Sequence, residues 1–117
     1  MFKDLMNVKE PDSTAYLQEF RTHFYPHAGF CAVYKFIMPE MRLPLIVKVN
    51  HTEMECYYGN VDSVDVEMQV PMDIMDEIIA GHMTFQKAFM SGDMKMKGDF
   101  KVLRPLDLLY VFATQKA

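Results

Sequence analysis

The sequence is poor in several residue types that mark particular classes of protein. It contains no tryptophan, two cysteines and five glycines in 117 residues. Two cysteines, Cys31 and Cys56, are too few for a disulfide framework and fit a reducing compartment. No apolar run approaches the roughly 20 residues that a membrane-spanning helix needs. Lys and Arg are not clustered, which argues against a nucleic-acid partner. Together, these shortages argue against a disulfide-rich, a membrane-spanning and a nucleic-acid-binding protein.

Length and charge restrict the class further. The chain carries a net charge of −4, and half of its residues are hydrophobic. This length favours a single domain over residues 1–117, which buries roughly two-thirds of its unfolded surface. The N-terminal residues carry charges where a secretory signal would be apolar. We therefore expect a cytoplasmic protein with no integral membrane segment, for which transient contact with a membrane stays open.

Hydrophobic periodicity predicts an α+β domain. Three alternating strands with short connections are typical of an antiparallel meander. The first of them is apolar on both faces, which predicts a central strand covered on both sides. The predicted elements are a helical turn at Met1–Met6, a helix at Thr14–Phe24, strands at Phe30–Met38, Leu43–Asn50, Glu53–Tyr58 and Val64–Val70, helices at Met72–Ala80 and Thr84–Met90, a strand at Met94–Lys97 and a last helix at Phe100–Ala113.

This order predicts a five-stranded mixed, largely antiparallel sheet with helices packed on it. The elements follow as helix, three strands, crossover, strand, helices, strand and helix. Pro105 falls inside the last helix and predicts a kink or a restart there. Within the stretch Thr84–Phe100, Ser91-Gly92 ends a helix because glycine takes a left-handed C-terminal position without steric cost. Gly98-Asp99 then ends a strand and offers an N-cap to the last helix.

The same stretch resembles the signature of the sterol carrier protein type 2 domain. Ala88–Gly92 and Met94–Asp99 are similar to the family pattern AF-x-SG-x-L-x-I-x-GD, with methionine in place of Leu and Ile. The resemblance extends over roughly Gly29–Tyr110, although Val70-Pro71 stands where the family usually has a Ser or Thr helix cap. It implies the family's order of elements and the binding of lipid-like molecules.

Residues that could carry catalysis or bind a metal do not form a recognisable arrangement. His23 and His27 lie four apart, but Pro26 separates them and no third ligand has suitable spacing. Cys31 and Cys56 alternate with apolar residues, which is typical of buried small hydrophobes. We therefore expect no enzymatic activity, no bound metal and no cofactor.

Methionine is frequent, with twelve in 117 residues. Because it is flexible and polarizable, methionine suits either a soft core or the wall of a pocket for ligands of varied shape, and its pattern leaves both interpretations open. Together with the resemblance, it leads us to expect a hydrophobic cavity between the sheet and the last three helices. The residues expected to contact its ligand are Met72, Met75, Ile78, Ile79, Phe85, Phe89, Met94, Met96, Leu103, Leu106, Leu109 and Tyr110.

The expected function is the binding and intracellular transfer of a fatty acyl chain or another lipid in this cavity, without catalysis. The alternative is a protein-interaction or regulatory module with a filled core, which pairs through its apolar helices, for example as a homodimer. The last helix is either the gate of the cavity or a plain closing helix of the core. Phe89, in apolar register with Phe85, is expected to anchor its helix to the sheet.

Overall fold

The structure, a computed structural model, describes residues 13–25 and 29–110, with side chains from residue 15 onward. The helical turn predicted at Met1–Met6 and the end of the last predicted helix lie outside these residues. The elements are α1 (Ser13–Thr22), β1 (Cys31–Ile37), β2 (Leu45–Asn50), β3 (Glu53–Tyr58), β4 (Val66–Gln69), α2 (Met72–Ile79), α3 (Phe85–Met90), β5 (Lys95–Gly98), a 3₁₀ turn (Phe100–Val102) and α4 (Leu103–Leu109).

Five strands form one mixed sheet in the order β3-β2-β1-β4-β5. β1 pairs antiparallel with β2, and β2 pairs antiparallel with β3, as the alternating pattern predicts. The chain then crosses to the other side of β1, where β4 runs parallel to it, and β5 returns antiparallel to β4. The predicted fold class, an α+β domain with a largely antiparallel mixed sheet, is confirmed.

The central strand β1 is fully covered on one face only. Tyr34 and Phe36 are buried, whereas on the other face Cys31 is exposed and Val33 and Ile37 are half-buried. The prediction that both faces are covered is therefore wrong. The apolar residues on both faces of β1 suggested two covered faces, but the described helices all contribute to one core on a single face of the sheet.

The end of α1 lies against the edge strand β3. The guanidinium of Arg21 donates a 3.3 Å hydrogen bond to the carbonyl oxygen of Cys56. Tyr16 and Phe20 of α1 are buried in the core, while Leu17 packs half-buried against it. The apolar stripe predicted for this helix therefore faces the sheet, although the helix ends earlier than predicted, at Thr22.

Side chains distant in sequence cap two of the later elements. Glu40, in the connection between β1 and β2, accepts a 3.1 Å hydrogen bond from the backbone N–H of Met72 through Oε1. Glu40 therefore caps the N-terminus of α2 in place of a Ser or Thr side chain, which Pro71 lacks. Asp99 accepts a 2.9 Å bond from the backbone N–H of Lys101 and so caps the 3₁₀ turn, as predicted.

The last helix is shorter than predicted. After the 3₁₀ turn, α4 begins at Leu103, so the restart precedes Pro105 by two residues. Pro105 is the third residue of α4. The first backbone N–H groups of an α-helix have no partner within the helix, so the missing N–H of Pro105 costs α4 no hydrogen bond. Tyr110 leaves the helix in an extended conformation and forms an isolated bridge with Phe24.

Candidate functional site

The twelve residues predicted to contact a ligand converge on one hydrophobic cluster between the sheet and the helices α2, α3 and α4. Eight are buried in the cluster, and four are half-buried and pack against it. The buried residues are Met75, Ile78, Phe85, Met94, Leu103, Leu106, Leu109 and Tyr110, and the half-buried residues are Met72, Ile79, Phe89 and Met96. The structure therefore brings all twelve together, and their contact with a ligand stays a prediction.

Aromatic residues outside the predicted site lie at the centre of this cluster. The ring of Phe36 in β1 is 5.5 Å from that of Phe20 in α1 and 5.5 Å from that of Phe85 in α3, measured between centroids. Phe20 also meets Tyr110 edge-on at 4.9 Å. Phe20 and Phe36 are therefore part of any ligand site in this core. Both fall on the buried side of the hydrophobic pattern of their helix and strand, and this pattern could have added them to the predicted site.

Two buried phenols fasten helical segments to the rest of the core. The hydroxyl of Tyr34 donates a 2.7 Å hydrogen bond to the carbonyl oxygen of Val102, and that of Tyr16 donates a 2.6 Å bond to Oδ1 of Asp76. Burial raises the pKa of both tyrosines above the ordinary value, and the bond to Asp76 adds to the shift of Tyr16. Both phenols thus stay protonated at neutral pH and act as hydrogen-bond donors.

The carboxylate of Asp107 joins α4 to the start of α3. Its two oxygens accept hydrogen bonds from the backbone N–H groups of Phe85 at 2.8 Å and Gln86 at 2.9 Å. The hydroxyl of Thr84 accepts a further bond from the N–H of Lys87 at 3.0 Å, so the amides at the start of this short helix have partners. Burial raises the pKa of Asp107, and its two backbone bonds oppose the shift.

An open groove of about 630 Å³ lies between α3 and α4. We call it the α3–α4 groove. Met90 and Leu108, its two large apolar residues, have 73% and 58% of their surface exposed. The lining residues are Thr84, Gln86, Lys87, Met90, Ser91, Arg104, Asp107 and Leu108, and none of the twelve predicted contact residues is among them. Sequence reasoning did not find this groove.

The two cysteines differ in their surroundings. Cys56 is buried, as predicted, and burial raises the pKa of its thiol. Cys31 is exposed, with its sulfur 3.7 Å from Nε2 of His51, so its prediction as a buried hydrophobe is wrong. The reason is its position on the face of β1 opposite the core.

The residues that the structure describes contain no group of three or more His, Cys, Asp or Glu side chains arranged to hold a metal ion. His23 lies 3.4 Å from a carboxylate oxygen of Glu19, and His27 falls outside the described residues. No helix in the described part of the chain is both long and apolar enough to span a bilayer. The expected absence of metal, cofactor and catalysis stays a prediction.

The sequence profile of the SCP-2 sterol transfer family matches residues 4–109. The chain belongs to this family. The resemblance found in the signature stretch is therefore confirmed. No curated protein sequence matches the chain.

Solved structures share the SCP-2 fold with the chain. Palmitated SCP2L2 from Aedes aegypti is 18% identical with a TM-score of 0.56, over 74% of this chain and 78% of that one. The UbiJ-SCP2 ubiquinone synthesis protein is 13% identical with a TM-score of 0.54, over 80% and 73%. A double mutant of the sec-alkyl sulfatase PisA1, an enzyme of Pseudomonas sp., is 14% identical with a TM-score of 0.74.

The match to the sulfatase covers 90% of this chain and 17% of the enzyme. The chain thus spans about a sixth of the length of that protein. At these identities, the likeness to all three structures shows a common fold.

Proposed function

We propose that this protein binds a lipid-like apolar molecule between its sheet and the helices α2, α3 and α4, and transfers it without catalysing a reaction. The observation that carries the proposal is the convergence of twelve apolar residues, from these helices, β5 and the residues next to them, on one cluster in a member of a sterol transfer family. The mechanism requires no catalytic group. It requires an apolar interior that a ligand can enter and leave.

Burial of apolar surface supplies the affinity in this mechanism. Each buried CH₂ group contributes about 0.8 kcal/mol, so ten of them contribute on the order of 8 kcal/mol before the ordering of the ligand is subtracted. This driving force is non-directional. The protein is therefore expected to accept several kinds of lipid, and the word sterol in the family name does not identify its ligand.

A ligand in this interior must displace side chains that now pack against each other. Met75, Phe85 and Leu106 have no exposed surface, so the helices or the side chains must move before an acyl chain can enter. Methionine is suited to this because it is unbranched, has three rotatable bonds and fills irregular spaces. The methionines among the twelve residues are Met72, Met75, Met94 and Met96.

The names of two similar proteins support an alkyl chain as part of the ligand. SCP2L2 from Aedes aegypti was solved in a palmitated form, and PisA1 is a sec-alkyl sulfatase. Palmitate is therefore the first probe for this chain.

The test uses the methionines as reporters. Protein labelled with ¹³C in its methionine methyl groups is titrated with palmitate and observed by NMR. We expect the methyl signals of Met75 and Met94 to shift more than that of Met54, which is half-buried on the edge strand β3 and serves as the comparison. If palmitate shifts neither Met75 nor Met94, the interior site is wrong.

A second candidate function is a protein-interaction or regulatory module with a filled core. The burial of eight of the twelve residues favours it, because a core without free space needs no ligand. Mass spectra under native and denaturing conditions separate the two candidates. A co-purifying apolar small molecule supports the carrier, whereas a ligand-free protein that forms a stable dimer supports the module.

A further inference from the structure

The walls of the α3–α4 groove are held together independently of any ligand. Asp107 on α4 binds the backbone N–H groups of Phe85 and Gln86 on α3 at 2.8 and 2.9 Å. These bonds occupy both carboxylate oxygens, one amide on each. The two bonds therefore join one wall of the groove to the other.

The two walls offer the same combination of groups. Lys87 and Met90 line the groove from α3, and Arg104 and Leu108 line it from α4. Lys87 and Arg104 are both exposed, and neither lies within 4.0 Å of a carboxylate oxygen among the described residues. The groove thus combines two cations that have no ion-pair partner in this part of the chain with two apolar side chains that face solvent.

This combination complements one class of small molecule. An inorganic anion would use the two cations and leave Met90 and Leu108 in water. A neutral alkyl chain would cover the apolar residues and leave both cations without a partner. An alkyl chain that ends in a carboxylate or sulfate satisfies both.

We propose that the α3–α4 groove binds a single-chain anionic amphiphile, with the alkyl chain on Met90 and Leu108 and the anionic group between Lys87 and Arg104. The groove shares no residue with the proposed interior site. Either proposal can therefore be disproved without the other.

The experiment titrates methionine-methyl-labelled protein with decanoate below its micelle concentration. We expect decanoate to shift the methyl signal of Met90, which lies in the groove. Lys87→Gln and Arg104→Gln should each weaken binding at this signal about tenfold, because each removes one charge-assisted contact. Arg42→Gln is the matched control, since Arg42 is exposed in the connection between β1 and β2 and lies outside the groove.

Two further ligands separate the sources of binding. 1-Decanol has the same chain without the charge and should bind at the Met90 signal at least tenfold more weakly than decanoate. Vesicles of phosphatidylglycerol test whether the groove recognises a membrane surface instead. Equal affinity for 1-decanol, unchanged affinity in both Gln variants, or a Met90 response to vesicles but not to decanoate would each overturn the proposal. Decanoate shifts confined to Met75 and Met94 would overturn it as well, and would support the interior site.

Discussion

The hydroxyl of Tyr34, in the centre of the sheet, donates a 2.7 Å hydrogen bond to the carbonyl oxygen of Val102, the residue before α4. At the other end of this helix, the backbone N–H of Tyr25 donates a 2.7 Å bond to the carbonyl oxygen of Leu109. α4 is therefore fastened at both ends by contacts with residues far away in the sequence.

Replacing Tyr34 by Phe should weaken the fold. The substitution keeps the ring and leaves the Val102 carbonyl without its partner in a buried position, so we expect a loss of about 1–2 kcal/mol in the free energy of unfolding. Urea denaturation measures this loss. Tyr25→Phe is the control, because its side chain is 52% exposed and its backbone bond is retained. A loss for Tyr34→Phe no larger than that of the control would contradict the role of the hydroxyl.

Phe85, rather than Phe89, anchors α3 to the sheet. Phe85 has no exposed surface and packs on Phe36, whereas Phe89 is half-buried and meets Phe100 edge-on with centroids 5.4 Å apart. Phe85→Ala should destabilise the protein by about 3–5 kcal/mol and Phe89→Ala by less than half as much. Denaturant unfolding of the two variants side by side decides the matter. Equal losses would restore Phe89 to the anchoring role predicted from the sequence.

Local patterns predicted the elements well because each strand and helix presents one side to a common core. The alternation in β4 and the glycine after α3 are signals contained within a few residues. The wrong predictions concern features that a short segment does not contain. Which face of β1 is covered depends on where the helices lie, and the last helix begins at Leu103 only after a 3₁₀ turn at Phe100–Val102.

The groove escaped prediction for the same reason. It depends on the Asp107 carboxylate reaching the amide of Phe85, 22 residues earlier in the chain. Likewise, the cap of α2 comes from Glu40, 32 residues before Met72. Periodicity placed the twelve apolar contact residues on inward faces, but it carries no information on such long-range polar contacts.

Gly98 should tolerate no side chain. It has a φ of 121°, and a Cβ atom there would lie 2.5 Å from the carbonyl oxygen of Asp65, the residue before β4. Gly92 has a φ of 88° but no atom within 4 Å of the corresponding position. Gly92→Ala should therefore lose only about 1–2 kcal/mol from backbone strain, and Gly98→Ala should lose clearly more. Thermal or urea unfolding compares them, and equal losses would show that β4 and β5 can separate without penalty.

Asp107 should give the protein a pH-dependent stability. Burial raises the pKa of this carboxyl above its ordinary value of 3.8, so the folded protein holds the proton more tightly than the unfolded chain. The resulting stabilisation is fully present below the unfolded pKa and is lost as the pH rises through the folded pKa. Asp107→Asn removes the titration and keeps one oxygen acceptor for the amides of α3.

Urea unfolding of the wild type and Asp107→Asn from about pH 3 to pH 7 tests this sign. The free energy of unfolding of the wild type minus that of the variant should fall as the pH rises above about 3.8, and then level off. If this difference in unfolding free energy instead grows with pH, the hydrogen bonds from Phe85 and Gln86 lower the pKa of Asp107 by more than burial raises it.

The ties on α2 differ from those on α4. Its first amide binds Glu40, and its Asp76 accepts the hydrogen bond of Tyr16. Water can replace the exposed bond to Glu40 at little free-energy cost, whereas the bond to Asp76 comes from the hydroxyl of the buried Tyr16. The bonds that hold α4 involve the buried Tyr34 and the backbone of Leu109. Because a ligand must enter by displacing the more weakly held element, these contacts favour α2 as the moving part and α4 as the plain closing helix.

Hydrogen exchange with and without palmitate tests which helix opens. We expect the amides of Leu103–Leu109 to exchange slowly in both states, because α4 is held at both ends, and those of Met72–Ile79 to gain protection when palmitate is bound. The amides of β1 serve as the control, since the central strand should exchange slowly throughout. Palmitate that protects Leu103–Leu109 and leaves Met72–Ile79 unchanged would instead make the last helix the gate.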